Sequence, residues 1–393
     1  MQKDEALIVR GKAPFTVKQL PGTNFAHIES LTDNTGIIRY ALPASPDGKE
    51  GYFIDDNSRA LLLAVWAGKN GKNKAVMGQR LLPIYLSFIH SMQMQDGYFR
   101  NFLSYDRTGT EERSSEDAFG RTLMALGFLV NEGPTHLLVR TGLGVFVKAY
   151  EHISKLSSLR AIANALIGIC QVIKYNYPDD GRQDMVIHLS DKLTEIYRSN
   201  RRDDWHWFEP TLTCDNAILP LALLNAYEIT QHDEYMEVAF ESMHFLESKV
   251  LYNGVLQPIG NQGWDRQGMD DQRKDGQGRG KQGMDDQRMD DRGRGNQGQR
   301  PAGIDQRCID VMAMVLFYQQ AYRITREQPY LDRMYQSYQW FLGINDLGMS
   351  LYDPSTGGCA DGFRAKGSHF SQGAESTLAY WISHVTVSTA LAE

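Results

Sequence analysis

Acidic side chains, amides and aromatic rings gather at a few places in this 393-residue chain, and each gathering runs straight into a long apolar stretch. One is Ser114-Ser115-Glu116-Asp117-Ala118-Phe119-Gly120-Arg121, a little after Gln95-Asp96-Gly97-Tyr98-Phe99-Arg100. Ser115 has the chemistry of a helix N-cap. Glu116 and Asp117 then fall in the first turn, where the helix dipole favours an ionised carboxylate, as a general base needs. A second is Asp204-Trp205-His206-Trp207-Phe208-Glu209-Pro210, followed by Leu212-Thr213-Cys214-Asp215-Asn216. Three rings around His206 and Glu209 suit one wall of a sugar pocket. A carboxyl among rings has its pKa raised by desolvation, which suits an acid. Asp55-Asp56-Asn57-Ser58-Arg59, Asp305-Gln306-Arg307 and Gln372-Gly373-Ala374-Glu375 complete the acidic set, and Asp361 lies in a polar loop.

Cleavage or transfer at a glycosidic bond needs two carboxyl groups facing each other across a groove. The base candidates are Asp117, Glu116 and Asp56; the acid candidates are Glu209, Asp215 and Glu375. Tyr98, Trp205, Trp207 and Trp264 offer ring platforms for sugar faces. His206, Asp305, Gln306, Arg307 and Asp361 offer polar contacts. A plainer reading stands beside this one. Glu116 and Asp117 can simply cap a helix and pair with Arg113 or Arg121, and the aromatic cluster around Glu209 can be a core corner.

What positions these residues is a repeat. Behind the polar heads run LLLAVW, TLMALGFLV, AIANALIGICQVI, AILPLALLNAY, CIDVMAMVLFYQQAY and TLAYWISHVTV. Ser157-Ser158-Leu159-Arg160 heads the third of these and looks structural. Helices that are apolar nearly all round should be buried. Between them lie half-polar stretches at 78–92, 183–199, 233–249 and 328–343, apolar at i, i+3 and i+4, as helices with one wet side should be. Six inner and about six outer helices predict an all-α (α/α)6 toroid over residues 51–393, with an irregular N-terminal segment at 1–50. Six polar heads would then meet at one end. A wide toroid leaves room for a water between opposed carboxyls, which favours an inverting outcome.

The head starts at 214 and 305 are 91 residues apart, a gap far longer than the others. The excess falls at 265–299, where QGMDDQR occurs twice, fifteen residues apart, without an aromatic or branched aliphatic residue. Such a segment cannot bury enough apolar area to offset its ordering entropy, so it reads as a disordered insertion in a surface loop.

Bulk properties exclude several classes. Hydrophobic residues at 42% and charged residues at 23% are ordinary for a globular chain. A net charge of −7 argues against nucleic acid as a partner. There is no apolar run long enough for a membrane span and no signal-like N-terminus. Four dispersed cysteines suit reduced thiols and a cytoplasmic location. No HExxH, CxxC, GxSxG or P-loop pattern occurs, so neither a metal nor a cofactor is expected.

The segments GYFIDDNSRALL, DGYFRNFLSYDR, SSEDAFGRTLMALG, SLRAIANALIG, FEPTLTCDNAILPLALL, GNQGW, IDQRCIDVMAMV and QGAESTLAYW resemble a bacterial group in the six-hairpin glycosidase-like superfamily, along residues 50–385. The resemblance implies an (α/α)6 toroid, carbohydrate work and an association with glycosyltransferases. The group's usual DQQP reads Asp305-Gln306-Arg307-Cys308 here, and Phe370-Ser371 stand before the QGAES motif in place of its usual Asn. The expected activity is cleavage or transfer of a glycosidic bond in an oligosaccharide. Two alternatives stay open: a non-catalytic glycan-binding or scaffold module serving a glycosyltransferase, and a sugar epimerase or isomerase, which needs histidines in the cavity.

Overall fold

Local signals set the helix starts. Ser115, Thr135 and Ser158 each accept a hydrogen bond from a backbone N–H three residues on, as N-caps do. In the computed structural model, residues 20–69, 73–109, 112–175, 181–260, 263–265, 306–364, 367–368 and 371–392 are described. The insertion at 265–299 lies outside them from residue 266 onward, and so does Asp305.

Twelve α-helices occur among the described residues: α1 Ala26–Leu31, α2 Ile54–Ala67, α3 Leu82–Met92, α4 Glu116–Glu132, α5 His136–Tyr150 and α6 Leu159–Lys174. The others are α7 Arg182–Asn200, α8 Ile218–Thr230, α9 Asp233–Val250, α10 Cys308–Thr325, α11 Gln328–Gln339 and α12 Ala374–Ala392. Lys74–Leu81 forms wider π-helical turns that lead into α3.

Burial divides the helices as the apolar patterns predict. In α6 every residue from Arg160 to Val172 is buried. In α7 burial falls on Val186, Leu189, Ser190, Leu193, Thr194 and Tyr197, one stripe of the helix. The even-numbered helices are the inner set. Each packs on the next, α2 on α4, α4 on α6, α6 on α8, α8 on α10, α10 on α12, and α12 returns to α2. The ring is closed, an (α/α)6 toroid. The odd-numbered helices pack outside it, and α1 occupies the sixth outer place against α12. The N-terminal stretch therefore contributes one helix and the hairpin Tyr40–Leu42/Ser45–Asp47 among its described residues.

The tightest inner contact is between α4 and α6, where glycines face the partner backbone. A Cβ on Gly127 would run into the carbonyl oxygen of Gly168, and one on Gly120 into that of Ala161. Backbones this close leave no room for a side chain at either position.

The heads of α2, α4, α8 and α12 share ion pairs and the far ends of all six inner helices line one cavity, so all six run in the same direction. Short two-stranded ladders between distant segments stand at the head end. Tyr52–Phe53 pairs with Phe102–Leu103, and Thr211–Leu212 pairs with Trp264–Asp265. No helix among the described residues is long and apolar enough to cross a membrane.

Candidate functional site

The head end of the bore is filled by alternating charges. Asp55, in the first turn of α2, lies between two guanidinium groups: Arg59 at 2.6 Å, one turn along its own helix, and Arg121 from α4. Arg121 reaches on to Asp215 at the head of α8, 3.3 Å away. Arg59 also contacts Glu375 on α12, 3.5 Å away. One network thus runs Glu375, Arg59, Asp55, Arg121, Asp215 across the ring. The width of a single guanidinium separates the carboxyls of Asp55 and Asp215. Burial opposes ionisation of Asp55, but Arg121 and Arg59 outweigh it and hold its carboxyl well below the usual range. The same carboxylates hold the Arg121 guanidinium protonated against desolvation.

Asp56, the neighbouring residue, turns the other way. It is fully buried, 3.1 Å from Arg39 and 3.8 Å from Arg59. Burial pushes its carboxyl up, Arg39 pulls it back, and the charge of Asp55 pushes it up again. Asp55, Asp56 and Glu375 bring carboxylate oxygens within 4.8 Å of one another. Three acids so placed have the donor set for a cation, but Arg39, Arg59 and Arg121 already balance them charge for charge.

A further acid, Asp310, sits in the first turn of α10. Its Oδ1 accepts from the backbone N–H of Asp215 at 2.5 Å, while its Oδ2 has no partner among the described residues. Desolvation and then the Asp215 charge push its carboxyl up to about 8. Asp215 itself adopts φ 52°, a left-handed backbone that an Asp tolerates better than most residues. That twist turns its N–H to Asp310.

The other candidate residues are held as follows. Glu116 accepts from the backbone N–H groups of Ser157 and Ser158 at 2.8 and 2.6 Å, and these donors hold its carboxyl low against desolvation. Asp117 accepts from the Ser158 hydroxyl. Both acids therefore fasten the start of α6 to α4 instead of facing a groove. Glu209 is paired with Arg160 at 2.9 Å. Arg160 also donates to the carbonyl of Cys214 and the hydroxyl of Thr213, both at 2.6 Å, so the head of α6 ties down the loop before α8.

The ring platforms are occupied or hidden. Trp205 and Trp207 are 1% and 0% exposed, packed around Phe245 in the core. Tyr98 stacks on His152 with ring centroids 3.9 Å apart and has the Arg113 guanidinium 4.3 Å from its ring. For Trp264 only the backbone is described, in the strand beside Leu212. His206 is turned to Glu241, 3.2 Å away. Gln306 is buried, donating to Asp346 at 2.8 Å and accepting from the Trp340 indole at 3.2 Å. Arg307 is half-buried at the start of α10, and Asp361 accepts from the N–H of Gly373 at 2.9 Å, just before α12.

The candidates drawn from the sequence include Asp56 but neither Asp55 nor Asp310, the acids that join the network beside it. The i, i+4 spacing of Asp55 and Arg59 was the available signal. Asp310 lies inside the apolar run CIDVMAMV, where a single acid is itself unusual.

No family model matches the sequence, and no curated protein is similar to it. Solved structures are similar in fold. A cellobiose 2-epimerase from Bacillus thermoamylovorans superposes with a TM-score of 0.65 at 11% identity, over 94% of this chain and 96% of that one. A sugar epimerase from a ruminal bacterium gives 0.63 at 12% identity, over 93% and 95%. A family 76 glycoside hydrolase from a bovine Bacteroides thetaiotaomicron strain gives 0.59 at 10% identity, over 93% and 76%. The chain shares with these enzymes the six-hairpin (α/α)6 toroid.

Proposed function

We propose that the chain is a carbohydrate-active enzyme that cleaves or transfers a glycosidic bond at the head end of the toroid, with Asp55 as nucleophile and Glu375 as acid and base. The observation that carries this reading is the unlike setting of two neighbouring carboxyls. Asp55 is held ionised by two guanidinium groups and is 16% exposed. Glu375, from the opposite side of the α2–α12 seam, has one longer contact and is 33% exposed, with one of its oxygens within 4.8 Å of one oxygen of Asp55.

Carboxyls about 5–5.5 Å apart belong to retaining glycosidases, and those about 6.5–9.5 Å apart to inverting ones. The closeness here favours retention over the inversion expected from a wide bore. Asp55 attacks the anomeric carbon and forms a glycosyl ester as the leaving oxygen takes the proton of Glu375. Glu375 then takes a proton from water or an acceptor hydroxyl, which releases the sugar and restores Asp55. Similarity in fold to proteins named as sugar epimerases and glycoside hydrolases supports a sugar substrate.

A second reading, a glycan-binding module serving a glycosyltransferase, draws on the same network, because each head carboxyl of Asp55, Asp215, Glu375 and Glu209 already has a guanidinium. For the epimerase reading, the described residues His27, His152, His206 and His384 are already engaged with backbone, Glu241 or Tyr338.

A hydrolysis screen over gluco- and manno-oligosaccharides tests the choice, with NMR of the released anomer. Asp55→Asn and Glu375→Gln should each lower turnover by about 10²–10⁴-fold, and the product should keep its anomeric configuration. Glycan binding without sugar release by the wild type would favour the binding module. Release unaffected by both substitutions would remove the assignment.

A further inference from the structure

At the other end of the bore, the last turns of the inner helices surround a cavity of about 450 Å³. Ligand pockets of roughly 300–1,000 Å³ hold small molecules. Its walls are sorted by chemistry. Trp66 near the end of α2 and Phe128 on α4 meet edge to face, with centroids 5.0 Å apart, and form an aromatic wall. In a closed ring of six, α8 lies opposite α2 and α10 lies opposite α4. Those opposed helices present Asn225 and Gln320, two planar amides, and Gln171 of α6 stands beside Asn225.

The amides are held in place by a chain of hydrogen bonds. Asn131 donates to Gln171 at 2.9 Å, Gln171 donates to Asn225 at 3.3 Å, and Gln320 donates to Glu228 at 2.6 Å. Gln171, Asn225 and Gln320 are each almost fully buried, yet all three line the cavity. Fixed amides with remaining donor and acceptor positions, opposite an aromatic face, match the two sides of a pyranose: a hydroxyl edge and a C–H face.

We infer that this cavity is a second, non-catalytic site that binds a short neutral saccharide. Neutrality follows from the helix ends. Six C-termini gather negative partial charge at this pole, and Lys69, Arg323 and Arg326 at the rim are the complement to it. With the helix ends offset in this way, the uncharged amides and rings of the walls suit hydroxyls and C–H faces. Hydrolysis is not expected, because Glu132, the one carboxylate among the described residues that line the cavity, is already paired with Lys69 at 2.5 Å. The cavity and the head end share the bore wall at Met124 and Leu316, but only a void of about 10 Å³ lies between them. The tail site therefore stands independently of the reading given to the head end.

Tryptophan fluorescence of the whole chain, titrated with glucose, mannose, galactose and their disaccharides, tests it. At least one of these should give a saturable change with a Kd of about 1 mM or tighter. Trp66→Phe should abolish the signal. Gln320→Leu should weaken binding by about tenfold, the effect of one lost hydrogen bond of ordinary strength. Thr389→Arg, an exposed mouth position that can take a long side chain without disturbing the core, should block entry. Glu375→Gln at the head end should leave the titration unchanged. Absence of saturation with every sugar, survival of binding in Thr389→Arg, or equal displacement by a neutral nucleoside would each overturn the inference.

Discussion

The two ends of the bore are made by the same six helices and differ in almost every other respect. At the head end, N-termini gather positive partial charge, and the residues found there are Asp55, Asp56, Asp215, Asp310 and Glu375. Three arginines thread between them, so the space between opposed carboxyls is filled by guanidinium groups. At the tail end, C-termini gather, and neutral amides with an aromatic wall enclose an open volume. Helix polarity explains the sorting, since a parallel ring adds up its dipoles at each pole. It also explains why the ends carry different liabilities. Charges buried at the head have given up hydration and depend on their partners, whereas the tail amides lose only ordinary hydrogen bonds.

Substitutions at each end can break or sharpen that contrast. Arg121→Met should have the largest effect, a loss of about 3–5 kcal/mol, because it leaves buried carboxylates uncompensated. Chemical denaturation measures it, and adding Asp215→Asn should recover part of the loss. A cost below about 1 kcal/mol would show that the network is solvated and weak.

Next comes Asp310→Asn. Burial and the Asp215 charge raise the Asp310 carboxyl to about 8 in the folded chain, against about 3.9 when unfolded. Between about pH 4 and pH 8 the folded state holds this proton and the unfolded state has released it. Stability from this group is therefore complete at low pH and falls with rising pH, by up to about 1.4 kcal/mol per unit. Relative to the wild type, the Asn variant should gain stability from about pH 5 to pH 8. Denaturant midpoints at the two values decide the matter; a difference independent of pH would mean that Asp310 is ionised throughout.

At the tail, Gln171→Met interrupts the amide chain and should cost about 1–2 kcal/mol, since Asn131 and Asn225 lose partners of ordinary strength. The smallest effect is expected at the mouth, where Thr389→Arg should change stability by no more than about 0.5 kcal/mol. Thermal melts check both. A tail substitution as costly as Arg121→Met would erase the distinction between the ends.

How much of this was legible beforehand differs from residue to residue. The inner and outer helices were plain, because α6 is apolar on all sides and α7 on one stripe. The polar heads do gather at one pole, where Asp55, Arg59, Arg121, Asp215 and Glu375 share ion pairs. Within a head, the choice between Asp55 and Asp56 was not legible, since adjacent positions on a helix point about 100° apart and the direction of the bore depends on the neighbours. Trp205, Trp207 and Glu209 looked like a sugar wall because an aromatic cluster has the same composition in a core as in a cleft. The tail cavity had no motif at all. Trp66, Phe128, Gln171, Asn225 and Gln320 come from five helices and are brought together only by closure of the ring.

The sequence by itself determined the periodicities, the caps and hence a ring of parallel inner helices with acids at one pole. These follow from interactions within a few residues of one another, which any stretch of chain carries with it. Only the tertiary structure decided which carboxyls meet, that Arg121 spans from Asp55 to Asp215, and that amides face rings across the tail. Such pairings depend on the rotation of each helix about its own axis, and that rotation is set by packing against neighbours such as the Gly127–Gly168 contact, far away along the chain.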